Sequence, residues 1–133
     1  MSTGVLFFDS SALLKLVIAE PETPALVRVL EAGTDELAGS ELLLTEVIRA
    51  AARVSDQALS DAELVLSRMT LLPLNRACVT AAGLLQPREL RALDALHIAA
   101  AMTVGPRLRG LVTYDVRQQA AARHAGLSVL APA

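Results

Sequence analysis

The strongest constraint on the fold of this chain is a short apolar run, Val5–Phe8, that ends directly at a carboxylate, Asp9. Two serines and a helix-forming stretch that extends to Glu20 follow it. A continuous apolar run ahead of a helical pattern is typical of a strand buried on both faces of a parallel sheet. We therefore expect Asp9 at the carboxyl end of a central strand, where open α/β sheets bind their ligands.

Strand-like and helical segments alternate along the rest of the chain. Further strands are expected at 35–39, 71–74, 108–114 and 127–130, and further helices at 24–32, 40–54, 60–70, 76–85, 89–104 and 116–125. This alternation predicts an α/β fold, a three-layer α/β/α sandwich around a parallel sheet. A proline within 71–74 favours an edge strand or a strand end there. No linker interrupts the 133 residues, so we expect a single domain over 1–133.

Composition excludes several classes of protein. Cys78 is the only cysteine, which excludes an internal disulfide or a thiolate zinc site, and its helical context favours a small core residue. No apolar stretch reaches the ~18 residues of a membrane span, and the N-terminus has no basic-then-apolar leader. We therefore expect a cytoplasmic protein without a membrane partner.

The net charge of −2 hides an asymmetry between the two halves of the chain. Residues 1–66 hold 11 acids and 4 bases, whereas residues 67–133 hold 3 acids and 8 bases. A basic half can contact phosphates, although solvated helix faces of opposite sign explain the pattern equally well.

Four acids stand in unexpected places. Asp9 and Asp115 each follow an apolar strand, and each has the alternative role of a helix cap, although Ser10 and Ser11 could cap in place of Asp9. Glu46 interrupts an apolar helix, on a solvated stripe or in a polar pocket. Asp94 stands inside a helix, either as a functional acid or in a surface pair with His97 or Arg91.

The carboxyl ends of neighbouring strands face one crevice, so Asp9 and Asp115 could converge there, with Glu46 and Asp94 brought in from adjacent helices. Clustered carboxylates repel one another unless a cation is present. An oxygen-only site favours Mg²⁺ or Mn²⁺ over zinc. Such a site can activate water for attack on a phosphodiester.

Four segments together resemble the PIN-domain ribonucleases, most closely the VapC toxins of toxin–antitoxin pairs. They are FFDSSALLKL (7–16), SEL…TEVIRA (40–50), LRALDALHIAAA (90–101) and LVTYDVR (111–117), and the ending GLSVLAP (126–132) agrees as well. The resemblance spans nearly the whole chain. It implies a PIN-like sandwich with about five parallel strands in the order 3-2-1-4-5.

The resemblance also implies a metal-dependent endoribonuclease toxin with Mg²⁺ or Mn²⁺ as cofactor. Its catalytic acids would be Asp9, Glu46, Asp94 and Asp115. Asp9 and Asp94 would be the principal metal ligands and Asp115 a further one, while Glu46 and Asp115 would complete the pocket, bind a second metal or position water. Weaker matches are Ser11 and Thr113, the polar residues beside the acids, and His97, for which we expect a structural role.

The partners implied are an RNA substrate (transfer or ribosomal RNA), an inhibiting VapB-type antitoxin and a second copy in a homodimer. Five arginines of the basic half are candidates for phosphate contacts, namely Arg88, Arg91, Arg107, Arg109 and Arg117. The alternative is a non-catalytic PIN-like module that sequesters a partner or RNA. Receiver domains and haloacid-dehalogenase phosphatases are disfavoured, because Asp9 is followed by serines and no lysine stands late in the chain.

Overall fold

The computed structural model of the chain describes residues 3–133. Within them, five parallel strands form one sheet in the order β3-β2-β1-β4-β5. The strands are β1 (Val5–Phe8), β2 (Glu36–Ser40), β3 (Thr70–Leu72), β4 (Leu108–Val112) and β5 (Val129–Leu130). The predicted order 3-2-1-4-5 is confirmed. The edge strand β3 ends at Leu72, directly before Pro73, as the proline predicted.

Seven helices of the described chain connect these strands. They are α1 (Ser10–Leu14), α2 (Thr23–Ala32), α3 (Leu42–Ala52), α4 (Asp56–Ser67), α5 (Arg76–Gly83), α6 (Ala92–Met102) and α7 (Val116–His124). The predicted start of the fourth helix at residue 60 was wrong. The helix begins four residues earlier because the Ser55 hydroxyl accepts a hydrogen bond from the Ala58 N–H and caps it.

The central strand is buried on both faces, as its apolar sequence predicted. Leu6 and Phe8 pack into one core, with α1, α3 and α4, while Val5 and Phe7 pack into the other, with α5, α6 and α7. Helices therefore cover both faces of the sheet, and the three-layer prediction is confirmed. Cys78 is a buried free thiol in the second core, also as expected.

The alignment of the two central strands positions the residues that follow them. Phe8 of β1 pairs with Val112 of β4, and the Asp9 N–H donates to the Val112 carbonyl at 3.2 Å. Asp9 and Thr113, the next residues of each chain segment, consequently emerge side by side at the carboxyl edge of the sheet. Across residues 3–133, no helix combines the length and the apolar character that crossing a membrane requires.

Candidate active site

Asp9 is a buried carboxylate held by three donors. Its Oδ1 accepts from the Ser11 hydroxyl at 2.6 Å and from the Ala12 N–H at 3.0 Å, and its Oδ2 accepts from the Thr113 hydroxyl. The side chain is 4% exposed. Desolvation raises the pKa of Asp9 above its ordinary value, although the hydrogen bonds from Ser11, Thr113 and Ala12 oppose that rise. The structure therefore holds this carboxylate rigidly in a place where its charge is poorly solvated.

Asp9 is also the N-cap of α1, which corrects one expectation. We expected Ser10 and Ser11 to be able to take over the capping, but both lie inside the helix, and the Ala12 N–H bonds to Asp9. The Ser11 hydroxyl instead links the two central loops, because it donates to Asp9 and accepts from the Tyr114 N–H at 3.0 Å. Asp9 thus combines the capping role with its position in the acidic pocket.

Thr113 connects the two acids that follow the central strands. Its hydroxyl donates to Asp9 and accepts from the Asp115 N–H at 3.2 Å. Asp115 caps α7 in turn, since its Oδ1 accepts from the Arg117 and Gln118 N–H groups at 2.9 and 3.3 Å. Both strand-end acids therefore cap a helix with one oxygen. The other oxygen of Asp115, Oδ2, is left for a different partner.

That partner is Arg91, which lies between Asp115 and Asp94. Its Nη2 is 3.6 Å from Oδ2 of Asp115, and its Nε is 3.3 Å from Oδ2 of Asp94. Asp94 is in the first turn of α6, where a carboxylate interacts favourably with the helix dipole. Contacts through Thr113 and then Arg91 therefore connect three of the four predicted acids.

Glu46 faces a polar partner rather than a solvated stripe. Its Oε1 lies 2.6 Å from Nε2 of His97, which is one helical turn beyond Asp94 on α6. His97 is buried, and its Nδ1 lies 3.3 Å from the Ser40 hydroxyl. The predicted alternative of an Asp94–His97 pair is not what forms, whereas the Arg91–Asp94 pair does. His97 has the structural role expected of it, and it fixes Glu46 against α6.

The candidate arginines fall at two ends of the sheet. Arg107 and Arg109 pair with Glu36 and Asp35 at the amino ends of β4 and β2, at the edge of the sheet opposite the acids. Arg91 and Arg117 line a cleft of about 570 Å³ beside Asp94. The remaining lining residues are Pro87, Glu89, Leu90, Ala120, Ala121 and His124. Arg88 lines a separate hollow together with Gln86 and Leu90.

The sequence did not point to two polar side chains that support the site. Gln118 is fully buried and donates through Nε2 to the Asp94 carbonyl at 3.2 Å, which ties α7 to α6. Gln119 donates to the Thr113 carbonyl at 2.9 Å. The only sequence signal was a pair of glutamines three and four residues after Asp115. Glutamine at the start of a helix is too common to indicate such a role.

The acids form connected pairs rather than one tight cage. Within residues 3–133, no three His, Cys, Asp or Glu side chains are close enough together to surround one ion. Mg²⁺ does not require such a cage, because it keeps several waters and binds proteins through one or two carboxylates plus substrate phosphates. Three carboxylates fit that donor chemistry. Asp9 is poorly solvated, and Asp94 and Asp115 each direct one oxygen at the same cation, Arg91.

Comparison with known proteins gives consistent results. A family model described as the PIN domain matches residues 6–124. Ribonuclease VapC46 of Mycobacterium tuberculosis is 38% identical over 129 residues, which are 97% of this chain and 98% of that protein. Ribonuclease VapC47 of the same species is 35% identical over 132 residues, with 96% and 97% covered.

A solved structure, a toxin–antitoxin complex from Klebsiella pneumoniae, contains a chain of similar fold. The TM-score is 0.70 at 21% identity, and the match covers 96% of this chain and 98% of that one. At this level of identity the likeness supports the architecture, an α/β/α sandwich.

Proposed function

Because the chain belongs to the PIN-domain family, we propose that it is a metal-dependent endoribonuclease that hydrolyses RNA phosphodiester bonds and acts as a VapC-type toxin. The cofactor we propose is Mg²⁺ or Mn²⁺. The observation that supports this proposal is the chain of contacts from Asp9 through Thr113 to Asp115 and through Arg91 to Asp94. It links three carboxylates from separate parts of the sequence, and Glu46 is held by His97, one helical turn beyond Asp94.

In this proposal, Asp9 and Asp94 are the principal metal ligands and Asp115 is a further one. A divalent ion held there supplies a Lewis acid that promotes ionisation of a bound water and stabilises charge on a phosphate oxygen. The hydroxyls of Ser11 and Thr113 keep the Asp9 carboxylate in one orientation. Their hydrogen bonds fix the direction of its lone pairs before any ligand arrives.

Glu46 is the residue we assign to orienting the attacking water and accepting its proton. The Nε2–H of His97 donates to Oε1 of Glu46, provided that the Ser40 hydroxyl donates to Nδ1. Ser40 Oγ also accepts from the Leu42 N–H at 3.2 Å, which leaves its proton free for Nδ1. His97, held by Ser40, thus orients the Glu46 carboxylate, as hydrogen-bonded neighbours orient residues that bind metals.

The substrate strand, in this proposal, runs past the cleft beside Asp94. Arg91 and Arg117 line that cleft, and Arg88 lies on the adjoining segment, so the three guanidinium groups can contact phosphates. We propose a structured RNA, a transfer or ribosomal RNA, as the substrate. A VapB-type antitoxin as inhibitor and a homodimer as the assembled form complete the proposal.

The test is cleavage of a structured RNA by the purified chain with Mg²⁺ or Mn²⁺ and after chelation. Asp94→Asn should lower cleavage by about 100-fold, as the loss of one charge-stabilising group typically does. Asp56→Asn removes an exposed carboxylate in the first turn of α4 and is the matched control, with activity expected at the wild-type level. Undiminished cleavage by Asp94→Asn, or in the absence of any divalent ion, contradicts the metal mechanism.

A non-catalytic binding module is the second candidate, because Asp9 and Asp115 each have a helix-capping role that requires no metal. It predicts RNA or partner binding without cleavage under any metal. It also predicts that Asp94→Asn binds RNA as tightly as wild type does. Product formation that depends on the divalent ion excludes it.

A further inference from the structure

Arg91 lines the proposed substrate cleft, but its guanidinium is paired with two of the acids rather than free for a phosphate. It is the residue before α6, in extended backbone, and it makes no side-chain cap. Its guanidinium stands between the outward-facing Oδ2 atoms of Asp94 and Asp115. These are two of the three carboxylates that we assign to the metal. A cation of this chain therefore already compensates part of the charge of the pair.

The contacts of Arg91 are loose. Tight pairs between a guanidinium and a carboxylate have N···O distances of about 2.7–2.9 Å, often twice over in a parallel fork. Here the two distances are 3.3 and 3.6 Å, to two different acids, and the longer one exceeds hydrogen-bond range. The Arg91 side chain is 65% exposed, so it can move into solvent without disturbing the core.

The two acids, in contrast, are anchored, Asp115 by its side chain and Asp94 by its backbone. Asp115 is held by the first turn of α7 through Oδ1, and the backbone of Asp94 is tied to Gln118. Their side chains are 31% and 18% exposed, so solvent screens the charge of each only in part. Two carboxylates whose oxygens approach the same position repel each other unless a cation lies between them. Arg91 is the cation that does so in the metal-free chain.

We propose that Arg91 is a displaceable internal counter-ion that competes with the divalent metal for Asp94 and Asp115. This inference rests on the proposed function and specifies how that site is regulated. Metal binding requires Arg91 to leave the two carboxylates. The released guanidinium then projects into the adjoining cleft, where it pairs with a phosphate of the RNA. The apparent metal affinity is accordingly lower without RNA than with it.

The experiment measures Mn²⁺ binding to the full chain by calorimetry and by the loss of the free-ion electron paramagnetic resonance signal. Arg91→Gln keeps a polar side chain of similar reach and removes the charge. We expect it to bind Mn²⁺ about 10-fold more tightly than wild type in the absence of RNA, equivalent to removing ~1.4 kcal/mol of competition. Circular dichroism checks that the variant is folded.

Arg117→Gln is the matched control. It removes one positive charge two residues from Asp115, and Arg117 makes no ion pair within residues 3–133. Its Mn²⁺ affinity should rise less than about 3-fold, because an exposed, screened charge acts weakly at a distance. An equal rise in both variants assigns the effect to net charge and overturns the proposal.

The remaining outcomes are also decisive. The inference is overturned if Arg91→Gln binds Mn²⁺ no more tightly than the wild type does. Metal-dependent RNA cleavage by the wild type would in that case still support the proposed function. Absence of Mn²⁺ binding from both wild type and Arg91→Gln contradicts the proposed metal site itself. Binding by Arg91→Gln alone supports the inference in its strongest form.

Discussion

The hydroxyl of Thr113 donates a hydrogen bond to Oδ2 of Asp9 across 104 residues of sequence. Thr113 is fully buried, and its hydroxyl oxygen also accepts from the Asp115 N–H, so one hydroxyl fixes the relative position of the two strand ends. The relationship follows from the pairing of β1 with β4, which brings the residues beyond both strands together. It makes Thr113 a good point at which to perturb the site without touching an acid.

Thr113→Val should destabilise the chain and impair RNA cleavage. Valine has nearly the same shape, but it leaves Oδ2 of Asp9 and the Asp115 N–H without their partner, at a cost of about 1–3 kcal/mol. Thr113→Ser keeps the hydroxyl and should retain most of the stability and activity. Urea unfolding and RNA cleavage measure the two effects. A valine variant as stable as wild type would show that the bond carries little energy.

Asp9→Asn should stabilise the metal-free chain at neutral pH. Burial raises the pKa of Asp9 in the folded state, so ionisation at neutral pH opposes folding. Asparagine removes the charge and is an equally good helix N-cap for α1. We expect a rise in Tm of about 3–5 °C, which is what ~1 kcal/mol produces in a domain of this size.

The pH dependence of that difference has a definite sign. Below the pKa of the unfolded state, Asp9 is protonated in both states, so wild type and Asp9→Asn should have similar stability. The wild type should become less stable than Asp9→Asn as the pH rises through the pKa that Asp9 has in the unfolded state. The difference should be complete above its raised pKa in the folded state. Adding Mn²⁺ should remove the deficit. Thermal melts between pH 3 and 8 test this, and a deficit that is largest in acid contradicts it.

His97→Leu should lower both stability and cleavage. The substitution leaves the buried Ser40 hydroxyl and the half-buried Glu46 carboxylate without their shared partner, which costs about 1–3 kcal/mol of unfolding free energy. Loss of the support to Glu46 should lower kcat by about 10–100-fold. Glu46→Gln separates the two effects, because its amide oxygen can still accept from His97. It should therefore keep the stability and lose the cleavage.

Arg117→Gln should weaken RNA binding in a salt-dependent way. If Arg117 contacts a phosphate, its removal lowers the slope of log affinity against log salt by about one. Arg109→Gln is the control, since Arg109 pairs with Asp35 at the opposite end of the sheet. Filter binding with an uncleaved RNA analogue at several salt concentrations measures both. Identical slopes for all three proteins exclude a phosphate contact by Arg117.

The sequence by itself determined the architecture of this protein. Four apolar residues that end at Asp9 specify a strand buried on both faces, and the alternation with helices specifies a parallel sheet. These inferences succeed because burial of apolar residues and strand–helix periodicity are local properties that a sequence displays directly. Helix boundaries were less certain, as the start of α4 at Asp56 demonstrates, because a single serine cap outweighed a stronger signal further along.

Only the tertiary structure decided which partner each acid has. The sequence allowed Asp94 to pair with His97 or Arg91, and it allowed Glu46 to face solvent. The packing of α3 and α6 against β2 instead pairs His97 with Glu46. Such choices depend on distances between segments that lie far apart in the chain. The same is true of Arg91, whose position between Asp94 and Asp115 exists only because α6 and α7 begin beside each other at one edge of the sheet.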